Sequence, residues 1–261
     1  MKTSYTNLSV ERHQHTVQVT LHNPPAHTWT EDSLAALTEL VNDVQQDRQI
    51  YALVISGDGQ KFFSAGADLK VFADGDKATA RRMAQRFGEA FEALAAFRGV
   101  TIAAINGYAM GGGLECALAC DIRIAEAHAQ MALPEASVGL LPCAGGTQNL
   151  ARLVGEGWAK RMILCGERID AAQAQAIGLV EEVVPSGEGL ARAMALAAKV
   201  ARQSPSSVAA CKTLIQAGRT MPTQHVLPLE RERFVSLFDT EDQKEGVQAF
   251  LSKREASWRN A

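Results

Sequence analysis

Asn106-Gly107-Tyr108-Ala109-Met110-Gly111-Gly112-Gly113-Leu114-Glu115 decides how this chain is read. The apolar run Thr101-Ile102-Ala103-Ala104-Ile105 leads into it as a buried strand, and a short helix over about 112–119 leaves it. Three glycines stand between them. The first N–H groups of a helix have no intrahelical partner and its dipole favours negative charge, so such a turn presents donors to an incoming oxygen. Without side chains at Gly111, Gly112 and Gly113, that oxygen can come to hydrogen-bond distance. The same glycines also suit a sharp turn with close helix packing, and on this stretch alone both readings stand. Glu115 falls in the first helical turn, where the dipole by itself stabilises a carboxylate by roughly 0.3–1 kcal/mol.

Two further stretches repeat the theme. Phe62-Phe63-Ser64-Ala65-Gly66-Ala67-Asp68-Leu69 is another strand-to-helix turn of small residues, a second place for a backbone donor. Ala132-Leu133-Pro134-Glu135, ahead of Gly139-Leu140-Leu141-Pro142, carries a second carboxylate, which read singly is a solvated loop charge. Two carboxylates converging on one small apolar site raise each other's proton affinity, letting one work as acid while the other works as base. Such a set suits acid–base chemistry beside a polarised carbonyl.

Composition narrows the classes. The 261 residues are 47% apolar, ample for a substantial core. A formal charge of −3 and the lack of a basic run supply no field to gather phosphate backbones, so nucleic acid is not expected as a partner. RNA binding would rest on Lys77, Arg81, Arg82 and Arg86, but Glu89 and Glu92 continue that helix, and a solvated face is expected. Cys116, Cys120, Cys143, Cys165 and Cys211 lack metal-site spacing and read as buried free thiols in a reducing compartment, with no metal. Residues 1–7 carry neither an apolar signal core nor an Arg-rich transit pattern, and no apolar run reaches about 18 residues. A soluble cytoplasmic protein without a membrane partner is expected.

Strands and helices alternate over the first two-thirds of the chain. Val17, Val19 and Leu21 alternate as a half-buried strand, and Leu34, Leu37, Leu40, Val41 and Val44 recur at helical spacing behind Thr30-Glu31-Asp32. Residues 52–56 read as a buried strand, Met83, Phe87, Phe91, Leu94 and Phe97 as one face of a long helix, and 121–125 as a further strand. Such alternation predicts an α/β fold with mostly parallel strands. Helices follow over 148–154, 157–165 and 170–177, then a strand over 180–184. Beyond Gly187 everything reads as helix, broken at Ser204-Pro205 and Met221-Pro222 and ending in an amphipathic segment over 241–253. One domain over 1–261 is expected, with an α/β core over about 1–186 and a helical extension over about 187–261.

The three quoted stretches, with Gly145-Gly146-Thr147-Gln148, Gly178-Leu179-Val180 and Glu245-Gly246-Val247-Gln248-Ala249-Phe250-Leu251-Ser252-Lys253-Arg254, resemble in order the signature blocks of the crotonase (enoyl-CoA hydratase/isomerase) superfamily. The resemblance implies a spiral of ββα units with a helical C-terminal trimerisation region, commonly a dimer of trimers. It also implies an acyl-CoA substrate and no separate cofactor, coenzyme A being part of the substrate. Carried over by position, Ala67 and Gly112 supply the oxyanion-hole N–H groups, Glu115 positions and activates water, and Glu135 exchanges the proton at the α-carbon. The implied reaction is syn addition of water to a trans-2-enoyl-CoA, in fatty or branched acyl-CoA metabolism such as β-oxidation. CoA contacts fall at Ala26, Ala65, Asp68 and Leu69, with Phe250 and Lys253 reaching the CoA of an adjoining subunit; Asp68 is also expected to cap the following helix, and ordinary helix packing is the alternative for Phe250. An isomerase or another acyl-CoA lyase is the alternative reaction, and a silent scaffold the third. Cys143, Asn149 and His27-Thr28-Trp29 depart from the superfamily's pattern, which has glycine, arginine and Leu-Asn-Ala there.

Overall fold

The computed structural model describes Lys2 and residues 4–261. It opens with an antiparallel hairpin of β1 (Leu8–His13) and β2 (Thr16–Leu21). Nothing in the sequence announces β1, because only Leu8 is buried and Glu11-Arg12-His13 are exposed. α1 (Glu31–Gln46) starts where expected. The Thr30 hydroxyl accepts from Ser33 N–H, and Ser33 Oγ accepts from Thr30 N–H, so two donors at the helix start are satisfied reciprocally. Its buried face carries Leu34, Leu37, Leu40, Val41 and Val44.

Three times in succession the chain then lays one strand in each of two sheets and adds a helix. The first unit is β3 (Ala52–Gly57), β4 (Phe62–Ser64) and α2 (Lys77–Ala96). The second is β5 (Val100–Ile105), β6 (Tyr108–Met110) and α3 (Gly112–Ala119). The third is β7 (Ile122–Glu126), β8 (Gln130–Ala132) and α4 (Gly146–Leu164). β9 (Ile169–Asp170), α5 (Ala171–Ala176) and β10 (Glu182–Val184) complete the sheets. The long sheet has the order β1-β2-β3-β5-β7-β10, parallel from β2 onward. The short sheet runs β4-β6-β8-β9, with only β9 antiparallel. This is the expected ββα spiral.

Buried apolar side chains hold the layers together. β3 is buried throughout: Leu53 and Ile55 enter the main cluster with Phe63, Phe87 and Leu114, while Ala52 and Val54 face a second cluster with Ile102 and Ile124. Each large side chain so placed contributes roughly 1.5–3 kcal/mol. On the second face lies α6 (Gly189–Val200), presenting Ala193 and Ala197, which let it approach closely. The buried Glu126 carboxylate accepts from Gly187 N–H (2.7 Å) and Gly189 N–H (3.0 Å), so its charge is met at the start of that helix.

α7 (Pro205–Ala217), α8 (Thr223–Ser236) and α9 (Glu241–Leu251) form the C-terminal part. Several large apolar side chains there face solvent, among them Ile215, Phe234, Val235, Phe238, Phe250 and Leu251. α4 breaks at Gly155 (φ 77°, ψ 160°), where one residue leaves the helical conformation, so the expected pair of helices over 148–154 and 157–165 is present. One expectation needs correction. Cys116 and Cys120 are buried, but Cys143, Cys165 and Cys211 are exposed, lying in loops or helix faces that the protomer leaves uncovered. The basic residues of α2 do face solvent, Arg86 pairing with Glu89 at 3.1 Å. No helix among the described residues is long and apolar enough to cross a membrane.

Candidate active site

β4, β6 and β8 lie side by side, so the turns that leave them are neighbours although distant in sequence. Residues 65–67 come after β4, Gly111 and Gly112 after β6, and Glu135 opens the 3-10 turn Glu135–Val138 after β8. Topology thus brings together groups that are far apart along the chain.

The first two turns meet at two glycines. Gly66 has φ +89°, and a Cβ on it would stand 2.7 Å from the Met110 carbonyl oxygen and 3.1 Å from the Gly112 nitrogen. Gly111, the N-cap of α3, has φ +52°, and a Cβ there would stand 3.1 Å from Glu135 Oε1. Side chains at either position would be strained and would fill the gap between the turns. Trp29 fixes the first turn: its N–H donates to the Gly66 carbonyl (2.8 Å), and its carbonyl accepts from Asp68 N–H (3.4 Å). That pairing skips Ala67. Among the described residues, neither Ala67 N–H nor Gly112 N–H has a protein partner. Two adjacent free donors, one at a helix start, are what an oxyanion needs.

The carboxylates are held differently. Glu115 is buried, and its Oε1 accepts from Ala144 N–H and Gly146 N–H, each at 2.8 Å. Burial raises its pKa, and the N–H groups of Gly146, Ala144 and Cys143 oppose the rise. Sequence reasoning misses these donors around Glu115; Gly145-Gly146 is the signal that could have found them, since the chain must wrap closely round the carboxylate. Glu135 lacks such support. Its Oε2 is buried with no hydrogen-bond partner, and burial, with the Glu115 charge adding to it, pushes its pKa up to about 7. The pair is therefore asymmetric, one carboxylate anchored by backbone donors and the other available to carry a proton near neutral pH.

That asymmetry has a stability signature. A carboxyl with pKa raised in the fold binds more protons than in the unfolded chain between its ordinary value and about 7, so stability falls as pH rises through that window and is lowest above it. Glu135→Gln is expected to raise the melting temperature clearly at pH 8 and little at pH 5. The gain at pH 8 is on the order of 1–2 kcal/mol after allowance for solvent screening. Thermal melts of both proteins at the two pH values measure it.

The remaining expected site residues divide. Ala26 and Ala65 are joined, the Ala26 carbonyl accepting from Ala65 N–H at 2.9 Å, and Leu69 is half exposed just beyond. Asp68 caps through its carboxylate, which accepts from Lys70 N–H at 3.1 Å, but the element it caps is a 3-10 turn, Leu69–Phe72, and not an α-helix. Phe250 is 84% exposed on α9, so it does not pack within its own helical region, and Lys253 lies beyond that helix. His27 holds the loop: its Nδ1 accepts from Asn23 N–H (3.1 Å) and its Nε2 donates to the Asp58 carbonyl (2.8 Å). Phe87 is buried against the second turn, with Cε1 2.7 Å from where a Gly112 Cβ would stand, and Met83 is likewise core.

Comparison with known proteins agrees with this geometry. Residues 11–261 match the family described as enoyl-CoA hydratase/isomerase. The chain is 42% identical to 2,3-dehydroadipyl-CoA hydratase of Escherichia coli K12, covering 95% of this chain and 96% of the relative. A solved structure of Pseudomonas aeruginosa DspI superposes with a TM-score of 0.95 at 66% identity, covering 97% of each chain. An enoyl-CoA hydratase from Bacillus anthracis gives a TM-score of 0.94 at 34% identity, covering 98% of this chain and 100% of that one.

Proposed function

The chain belongs to the enoyl-CoA hydratase/isomerase family of the crotonase superfamily, and from that premise we propose that it is a hydratase converting trans-2-enoyl-CoA to 3-hydroxyacyl-CoA. The observation that carries this reading is the meeting of Glu115 and Glu135 beside the free N–H groups of Ala67 and Gly112. The thioester oxygen accepts from those two N–H groups. Glu115, held by the backbone, takes a proton from water as the oxygen bonds to the β-carbon. The π electrons move toward the thioester oxygen, whose enolate character the two donors stabilise, and Glu135 delivers a proton to the α-carbon. Both carboxylates act on shared protons, so the apparent pKa values of the reaction belong to the pair.

Ala26, Ala65, Asp68 and Leu69 form the CoA-binding rim in this reading, largely through backbone and shape. The exposed apolar residues of α7–α9 support a homo-oligomer, a trimer or dimer of trimers, in which Phe250 and Lys253 reach the CoA of an adjoining subunit. Coenzyme A enters only as part of the substrate, with no metal or further cofactor. A cytoplasmic role in fatty acyl-CoA breakdown fits this chemistry. Hydration assays with enoyl-CoAs from four carbons upward, 2,3-dehydroadipyl-CoA included, test the reading. Turnover of at least one is expected; a protein inactive on all of them, yet shifting the double bond of a 3-enoyl-CoA, would be an isomerase instead.

A further inference from the structure

Hydration and proton transfer make different demands on this site. Exchange of an α-proton needs Glu135 and the two oxyanion donors. Water addition needs, besides, a water molecule held against Glu115 at the β-carbon. A residue that touches the water but neither the α-carbon nor the thioester oxygen would separate the two reactions.

Cys143 is placed to do so. It stands in the loop that runs from Glu135 to the backbone donors holding Glu115, between Pro142 and Ala144, both buried, while its own side chain is partly open to solvent. The next residue donates its N–H to Glu115 Oε1, as does Gly146, so both of these backbone bonds fall on one oxygen of that carboxylate. Glu135 Oε2 is without a protein partner. Although exposed on one side, the Cys143 thiol is partly withdrawn from water; that partial burial first, and then the Glu115 and Glu135 charges, push its pKa up to about 11, so it stays protonated while Glu135 titrates. A protonated thiol is a weak donor and a weak acceptor. A buried water needs two to four polar partners and about 30 Å³ of room, and sulfur supplies poor bonding while taking space on that scale.

We propose that Cys143 is a specificity-determining residue, whose thiol limits how well water is held between Glu115 and Glu135 and so partitions the site between water addition and α-proton exchange. The proposal rests on the hydratase reading. In exchange, the α-C–H bond breaks, its electron pair moves into the enolate, and the proton passes to Glu135. There it is replaced by solvent, and the α-carbon is reprotonated, with no oxidant or further reactant.

The test compares parent, Cys143→Gly and Cys143→Ser in two assays: hydration of crotonyl-CoA, and deuterium uptake from heavy water into the saturated butyryl-CoA. The expected result is a rise in the ratio of hydration to exchange of about tenfold for glycine, the scale of one net hydrogen bond. Serine, with similar volume and a stronger hydrogen-bonding group, should raise the ratio as well and carries the test if the glycine variant does not fold. Ratios unchanged in the folded variants, or a fall in hydration relative to exchange, would overturn the proposal and leave the hydratase reading standing. A parent that exchanges but hydrates nothing, beside a glycine variant that does hydrate, would support the partition and remove the parent's hydratase assignment. Absence of exchange in the parent would overturn the proposal itself.

Discussion

Replacing Glu135 or Glu115 by glutamine is expected to slow hydration of crotonyl-CoA by at least about 10²-fold, the lower bound for a positioned acid or base. Glutamine keeps the shape and removes the proton-carrying group. The losses should differ in character, because the two carboxylates are held differently. At position 115 the side-chain oxygen of glutamine can still accept from Ala144 and Gly146 N–H, so the fold round the site should persist while the base is lost. At position 135 the change removes a buried, unpartnered carboxylate whose pKa of about 7 suits proton transfer at neutral pH. The double variant should be only slightly slower than the poorer single one, since groups acting as a unit are not additive. Steady-state kinetics of the three proteins check this, and a folded single variant with parental turnover would remove that residue from the chemistry.

The second large effect belongs to the backbone donors. Gly112→Pro would delete one N–H, but any added atom at that position meets Phe87, so a loss there mixes chemistry with packing. Ala67→Pro is the cleaner experiment. Ala67 already carries a Cβ, and its N–H takes no part in the Trp29 pairing, which runs through Gly66 and Asp68. The variant is expected to lose roughly 10²–10³ in kcat, about 2.7–4 kcal/mol of transition-state stabilisation. Circular dichroism establishes that the fold survives, and full activity in a folded variant would exclude this N–H from the oxyanion hole.

How much of the molecule is legible in its sequence depends on how local each cause is. The glycine-rich turns and both glutamates are legible because a helix start and a residue without Cβ carry their physics within a few positions. The buried strands at 52–56 and 101–105 are legible from continuous apolar runs. β1, β8 and β9 are not, since they are short or mostly exposed and show no sustained alternation. Convergence of Glu115 and Glu135 is out of reach of the residues alone, because it depends on β6 and β8 pairing, with Met110 opposite Ala132. The amphipathic segment over 241–253 marks α9 but not its surroundings, and Phe250, equally at home in a core, is exposed on the protomer.

The short sheet gives the molecule an uneven thermal margin. Its strands β4, β6 and β8 have three residues each, against six in β2, β3 and β5, and the β4–β6 pairing is irregular between Phe62 and Ser64. Few ladder bonds hold them, and local opening costs less than global unfolding. Yet both carboxylates and both donors owe their mutual positions to those three strands. Inactivation should thus precede denaturation: warmed gently, the protein loses its catalytic geometry while the long sheet and its helices stay folded.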